Sequence, residues 1–120
     1  MKTDLVEIFQ TLKASLYSYQ TRGYSVHRDS DTAYELYSEK NRMFNGKEIT
    51  EFFFSGLYVE DGKVMLKFNA TDFKPTDQDL VVFDDHTRGF VLANLDKKKQ
   101  QDIATFVEIV HAHFKKNKWV

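Results

Sequence analysis

The sequence predicts an α+β fold. It is a two-layer sandwich in which an N-terminal helix and a long C-terminal helix cover one face of an antiparallel sheet of five or six strands built from hairpins. Two observations predict the helices, because apolar residues recur at helical spacing at both ends of the chain. A third predicts the sheet, because alternating apolar and polar stretches separated by turn residues fill the middle. Helices at both ends of an antiparallel sheet are typical of such a sandwich, and 120 residues suit a single domain spanning residues 1–120.

The first helix is predicted from Asp4 to Gln20. Asp4, with Glu7 three positions later, has the spacing of a capping box, and Gly23 is placed to end the helix. The predicted buried stripe consists of Leu5, Ile8, Phe9, Leu12, Leu16 and Tyr19.

The first hairpin is predicted from two alternating stretches, residues 24–28 and 32–38, joined by a polar loop at residues 29–31. A three-residue loop pairs Val26 with Tyr34 and gathers the apolar side chains on one face. The opposite face then carries Ser25, His27, Glu35 and Tyr37.

The second hairpin, residues 49–69, has the clearest turn signal, because Asp61-Gly62 between two β-rich runs is typical of a type I′ turn. A two-residue turn opposes Val59 to Val64 and places them on the core face. By alternation, the other face carries Phe52, Phe54, Tyr58, Met65, Lys67 and Asn69.

The remaining elements are two strands and a helix. Strands are predicted at residues 80–83 and 89–95, and the last helix has Asp96 as its N-cap and a lysine-rich end where the helix dipole favours cations. Residues 71–79 hold the only proline and suggest a loop, although one helical turn at residues 76–80 is an alternative.

Composition excludes several classes of protein. The chain has no cysteine, which excludes a disulfide scaffold, a cysteine-ligated zinc site and a thiol nucleophile. A net charge of −1 gives no basic footprint for nucleic acid. No apolar run approaches the roughly 20 residues of a membrane span, and the charged start differs from a secretory signal. The sequence therefore predicts a soluble, cytoplasmic protein without membrane or nucleic-acid partners.

The uncovered sheet face is the first candidate site, because it combines aromatic and charged residues where a two-layer sandwich should be polar. Such a patch indicates a ligand groove, a protein interface or a homodimer interface. The alternative is that the segment in the 70s and 80s of the chain, or residues 118–120, folds over this face and buries it. The predicted ligand or partner face is His27, Glu35, Tyr37, Phe52, Phe54, Tyr58, Met65 and Lys67.

Two smaller clusters are weaker candidates. Asp84, Asp85 and His86 offer carboxylate and imidazole ligands of the type that bind divalent metals, or they form a solvated acidic loop. At the start of the last helix, Lys97, Lys98 and Lys99 could bind an anion together with the free backbone N–H groups, or they are simply solvated.

The sequence does not predict an enzyme. Phosphate-binding loops, nucleophile elbows and zinc-protease motifs are missing from it. Acid–base chemistry would require His27, Glu35 and Tyr37 to converge in a pocket. His111 and His113 lie two positions apart on the last helix and point in different directions, so we expect one exposed and one boundary histidine rather than a metal site.

Four stretches together resemble a known family: YELYSEK (34–40), FFSGLYVEDGKVMLKF (53–68), RGFVLANLD (88–96) and FKKNKWV (114–120). In this order they are similar to the small bacterial YdhG-like domains of unknown function, over about residues 5–120. Some relatives are regarded as frataxin-like iron chaperones, and the order of helix, sheet and helix is also the frataxin order. The resemblance therefore implies iron as a cofactor or cargo and an intracellular role in iron delivery. The first helix, where frataxins carry an acidic ridge, holds only Asp4 and Glu7, and the acids of this chain lie instead at Asp72, Asp77, Asp79, Asp84 and Asp85.

Overall fold

The computed structural model describes residues 5–40, 42–44, 46–71 and 80–120. It contains an N-terminal helix, eight strands and a C-terminal helix, which confirms the α+β fold class. The elements are α1 (Leu5–Tyr17), a 3-10 helix (Ser18–Arg22), β1 (Tyr24–Asp29), β2 (Ala33–Ser38), β3 (Arg42–Phe44), β4 (Lys47–Ile49), β5 (Phe52–Glu60), β6 (Lys63–Asn69), β7 (Val81–Asp84), β8 (Thr87–Leu92) and α2 (Lys97–Lys116).

The N-terminal helical segment ends, and the C-terminal helix begins, at the residues that the sequence indicates. The N-terminal helix tightens into its 3-10 turn and stops at Gly23, whose φ of 108° suits a residue without a side chain. Any Cβ at Gly23 would also collide with the Val120 side chain. At the other helix, the Asp96 carboxylate accepts a hydrogen bond of 2.7 Å from the backbone N–H of Lys99, as an N-cap does.

Six strands form one antiparallel sheet in the order β1-β2-β5-β6-β8-β7. The strand order places β5 and β6 in the centre and leaves β1 and β7 as the edges. A separate two-stranded hairpin, β3–β4, lies between β2 and β5 in the chain and was not predicted from the sequence. No helix within the described residues is both long enough and apolar enough to cross a membrane.

The central hairpin has the predicted register, in which Val59 pairs with Val64 and Leu57 pairs with Leu66. Asp61 and Gly62 both have positive φ values, 51° and 75°, as a type I′ turn requires. The turn therefore fixes which β5 and β6 side chains face the helices.

The predicted register of the first hairpin is wrong by two residues. Val26 pairs with Leu36 rather than with Tyr34, and a bulge at His27 interrupts the ladder before Arg28 meets Glu35. Because the shift is even, Val26 and Leu36 remain on the same face as predicted. His27 is the extra residue of β1, because its neighbours Val26 and Arg28 pair with the consecutive residues Leu36 and Glu35 of β2.

The core lies between the sheet and the two helices. One sheet face, here called the inner face, packs against apolar residues from both helices, and the C-terminal Trp119 closes one end. The most buried side chains include Phe9, Leu12, Tyr34, Leu36, Phe54, Leu57, Leu66, Phe68, Ile103 and Phe114.

A second bulge changes the faces of the three consecutive phenylalanines of β5. Leu36 of β2 pairs with Ser55 of β5, and the next residue, Tyr37, pairs with Phe53. Phe54 is skipped and has no partner of its own on β2. Phe54 is fully buried and stacks on Tyr24 at 4.0 Å, and Phe52 stacks on Phe114 at 5.6 Å. The prediction that Phe52 and Phe54 lie on the uncovered face is therefore wrong, because the bulge reverses the alternation at this point.

Candidate functional site

The sheet side opposite α1 and α2, here called the outer face, is the main candidate site. It carries aromatic side chains interleaved with charged ones, most of them neither buried nor fully exposed. Its central residues are His27, Glu35, Tyr37, Phe53, Tyr58, Met65, Lys67 and Phe83.

Three rings form one end of the outer face. The imidazole of His27 stacks on Tyr37 with centroids 4.3 Å apart and planes 20° apart, and Phe53 meets the edge of Tyr37 at 5.5 Å. His27 also donates through Nε2 to Glu39 at 2.6 Å, and its Nδ1 lies 3.7 Å from Glu51. The bulge at His27 places this ring over Tyr37, and the two carboxylates hold it there.

Tyr58 lies flat across the centre of the outer face. A Cβ at Gly56 would lie 2.2 Å from the Tyr58 hydroxyl oxygen, so the ring occupies the space that Gly56 leaves open. The hydroxyl donates to the Glu35 carboxylate at 2.5 Å. Burial, and then the bond to Glu35 and its negative charge, raise the pKa of the Tyr58 phenol well above its usual value. The Tyr58 phenol therefore stays protonated, and able to donate, to a higher pH than an ordinary tyrosine.

Lys67 stands beside this tyrosine. Its ammonium nitrogen lies 5.2 Å from the Tyr58 ring centroid and 5.0 Å from that of Phe83, distances typical of cation–π contacts. Within the described parts of the chain, Lys67 has no carboxylate within 4.0 Å. The outer face thus presents a half-buried cation between two aromatic rings.

The structure brings together six of the eight residues predicted for this face and excludes Phe52 and Phe54, which pack in the core. Sequence reasoning missed Phe53, Phe83, Glu39 and Glu51. Phe53 was missed because a bulge within three identical residues leaves no trace in the alternation pattern. Glu39 and Glu51 lie just beyond the strand ends, where alternation gives no direction.

The three residues considered for acid–base chemistry separate into two contacts. His27 and Tyr37 stack, whereas Glu35 accepts its hydrogen bond from Tyr58. His27, Glu35 and Tyr37 therefore do not converge on one point. The contacts of His27 and Glu35 are made with other side chains of the same face.

Two of the three lysines at the start of α2 contact different neighbours. Lys98 lies 3.7 Å from Asp102, and Lys99 lies over the Phe90 ring at 5.6 Å. The Asp96 carboxylate already accepts from the first turn of the helix. These contacts do not support the predicted anion site of Lys97, Lys98 and Lys99. An anion at the start of the helix would also have to displace the Asp96 carboxylate from its hydrogen bond.

The acidic loop is a tight turn between β7 and β8. Asp84 accepts a hydrogen bond of 2.8 Å from the backbone N–H of His86, and this bond lowers the pKa of the Asp84 carboxyl. Across residues 5–40, 42–44, 46–71 and 80–120, no three acidic or histidine side chains are grouped as a metal site requires. Asp85 and His86 are exposed in this turn, whereas Asp72, Asp77 and Asp79 lie outside the described residues.

The histidines of α2 belong to the inner face and its rim. His111 is 6% exposed, and its Nδ1 shares a hydrogen bond of 2.7 Å with the Tyr24 hydroxyl. The expectation of one exposed histidine is wrong, because His111 fills a gap among aromatic rings. His113, partly buried, donates to the backbone carbonyl of Thr71 at 3.1 Å.

Comparison of the chain with protein-family models, with curated proteins and with solved structures finds no match in any of the three. The resemblance to the YdhG-like domains therefore stays a prediction, and the geometry of the outer face is the basis for a functional proposal.

Proposed function

We propose that this protein is a non-enzymatic interaction domain that binds a protein partner through its outer face. The observation that carries the proposal is Lys67, a half-buried cation held between Tyr58 and Phe83 on a sheet face that neither described helix covers. Aromatic residues interleaved with a few charges are typical of interaction surfaces.

The shape of the face favours a protein over a small molecule. Small-ligand sites are concave and bury most of the ligand, whereas the outer face is the surface of a six-stranded sheet whose side chains lie across it. Tyr58 is flat over Gly56, and His27 is flat over Tyr37, so the rings present broad surfaces for another surface to pack on.

A pair of photo-crosslinking variants tests this proposal. Benzoylphenylalanine replaces Tyr37 on the outer face in one variant and Tyr17 in the other, since Tyr17 is 62% exposed on the helix layer and serves as a matched control. After illumination of intact cells that produce each variant, we expect protein crosslinks from position 37 and few from position 17. Equal yields at both positions, or none at either, would contradict the outer face as the binding surface.

Iron delivery remains a prediction from the family resemblance. No contact within the described residues favours it over the interaction domain, because Asp84 is engaged in its own turn. Anaerobic titration of Fe(II) into the protein and into the variant Asp84→Asn/Asp85→Asn tests it directly. Binding that the double substitution abolishes would support a metal role, and no binding at millimolar Fe(II) would rule it out.

A further inference from the structure

We propose that the partner of the outer face is a second copy of this chain, placed face to face by a two-fold axis that runs along β5. The inference rests on the proposed function in taking the outer face as the interaction surface. It goes beyond that function by naming the partner and the register of the contact.

The strand register arranges charges in a single row across the outer face. Neighbouring strands place Arg28 beside Glu35, Glu35 beside Gly56, Gly56 beside Lys67 and Lys67 beside Gly89. From β1 to β8 the row therefore reads positive, negative, neutral, positive, neutral. Gly56, the residue on β5, stands midway between Glu35 and Lys67.

A two-fold axis between two such faces, parallel to the strands and above β5, exchanges β2 with β6 and β1 with β8. Glu35 of each copy then lies opposite Lys67 of the other, which gives two identical contacts of opposite charge. Arg28 lies opposite Gly89, which has no side chain of its own. Contacts repeated in this way define an isologous dimer, and no like charges oppose each other in this row.

The spacing suits this arrangement. Adjacent strands lie about 4.8 Å apart, so each charged pair is only one strand away from the axis. Packed sheets stand about 10 Å apart and keep their strand directions within about 30° of each other, and any departure from parallel displaces residues near the axis least. A glutamate and a lysine reaching toward each other can span that separation.

The apolar residues supply the attraction, and the charges set the register. Burying charged pairs costs desolvation energy that roughly offsets their attraction, so such pairs give specificity more than affinity. The rings of Tyr37, Phe53 and Tyr58, with Met65, remain half exposed in the single chain and lie on the same face. Five strands of six residues or more cover roughly 500 Å² on each copy, near the lower limit for a specific interface, so the dimer should be weak and concentration-dependent.

Charge exchange tests the axis. Glu35→Lys alone and Lys67→Glu alone each place two like-charge pairs across the axis, so analytical ultracentrifugation should show each variant dissociating at least tenfold more readily than the unmodified chain. Mixing the two variants restores both opposite-charge pairs and should yield a heterodimer. The double variant Glu35→Lys/Lys67→Glu should self-associate again.

Glu7→Lys and Lys116→Glu make the same charge changes at exposed positions on the two helices and should leave self-association unchanged. Circular dichroism of each variant establishes that it is folded. An unmodified chain that stays monomeric up to millimolar concentration would overturn the dimer, and so would single variants that do not recover association on mixing. A crosslink from position 37 to a different protein would overturn the dimer while supporting the proposed function, so the two failures are distinguishable.

Discussion

The two faces of the sheet use similar residues in different ways. The inner face packs Tyr24, Phe54 and Phe114 into a cluster with His111, in which each ring is enclosed by others. The outer face spreads its rings among charged groups and leaves them half exposed. Aromatic content alone therefore does not identify the core, and what separates the faces is whether polar groups lie between the rings.

The β5 bulge decides which of the three phenylalanines lies on which face, so the largest expected effect is at the bulge. Phe54→Ala should lower the free energy of unfolding by about 3–5 kcal/mol, because it empties a fully buried site. Phe53→Ala, one residue away on the half-exposed outer face, should cost about 1 kcal/mol or less. Urea denaturation followed by circular dichroism measures both values. Similar losses in the two variants would contradict the assignment of these residues to opposite faces.

Acid should lower the free energy of unfolding, because His111 is buried on the inner face. Burial, and then the charge of Arg22, lower the pKa of His111 in the folded protein. As the pH falls through the ordinary histidine value of about 6.5, the unfolded chain takes up the proton first, so the free energy of unfolding decreases. The decrease should level off once the pH is below the folded-state pKa.

Other charged or titratable groups near His111 are Tyr24 on β1, Tyr19 on the 3-10 helix, and Glu108 and Lys115 on α2. Denaturation at a series of pH values should show a smaller decrease between neutral and mildly acidic pH for His111→Gln, whose side chain can still bond to Tyr24. His86→Gln, in an exposed turn, should keep the decrease of the unmodified protein. An unaltered pH profile for His111→Gln would contradict the assignment.

Substitutions at the exposed edge of the inner face should change the free energy of unfolding less. Arg22 donates to Glu108 at 2.5 and 3.2 Å, and these bonds lower the pKa of the Glu108 carboxyl. Because the two side chains are 40% and 54% exposed, Arg22→Ala should cost about 1 kcal/mol or less. Lys98→Ala, which removes an exposed pair with Asp102 at 3.7 Å, should cost still less in the same denaturation assay. A larger loss from Lys98→Ala would reverse this ranking.

A small stability change is expected on the outer face, at Gly56→Ala. The new methyl group collides with the Tyr58 ring, which can rotate toward solvent, so the free energy of unfolding should change by about 1 kcal/mol or less. Rotation would break the bond to Glu35, and the pKa of Tyr58 should move down toward the usual phenol value. NMR titration of ring-labelled tyrosine measures this change. Tyr34, whose pKa is raised chiefly by burial on the inner face, is the internal control and should not move.

The sequence was sufficient where one local signal decides the structure. Gly23, the Asp61-Gly62 turn and the Asp96 cap each leave a recognisable residue at a fixed position, and all three were predicted correctly. It was insufficient at Phe52, Phe53 and Phe54, because a bulge depends on how β2 and β5 pair and three identical residues give no alternation to read. The contact of Lys67 with Phe83 was also missed, because Phe83 lies on β7 and does not neighbour β6 in the sheet.

The only tryptophan of the chain, Trp119, has a consequence for experiments on both faces. Its ring meets Phe52 and Phe114 edge-on at 5.0 and 5.3 Å, and its backbone carbonyl accepts a hydrogen bond from the Ser38 hydroxyl. Intrinsic fluorescence excited at the indole therefore comes from one place, where residues 117–120 dock on the end of the sheet. A red shift in emission would report detachment of that end, and substitutions confined to the outer face should leave the spectrum unchanged.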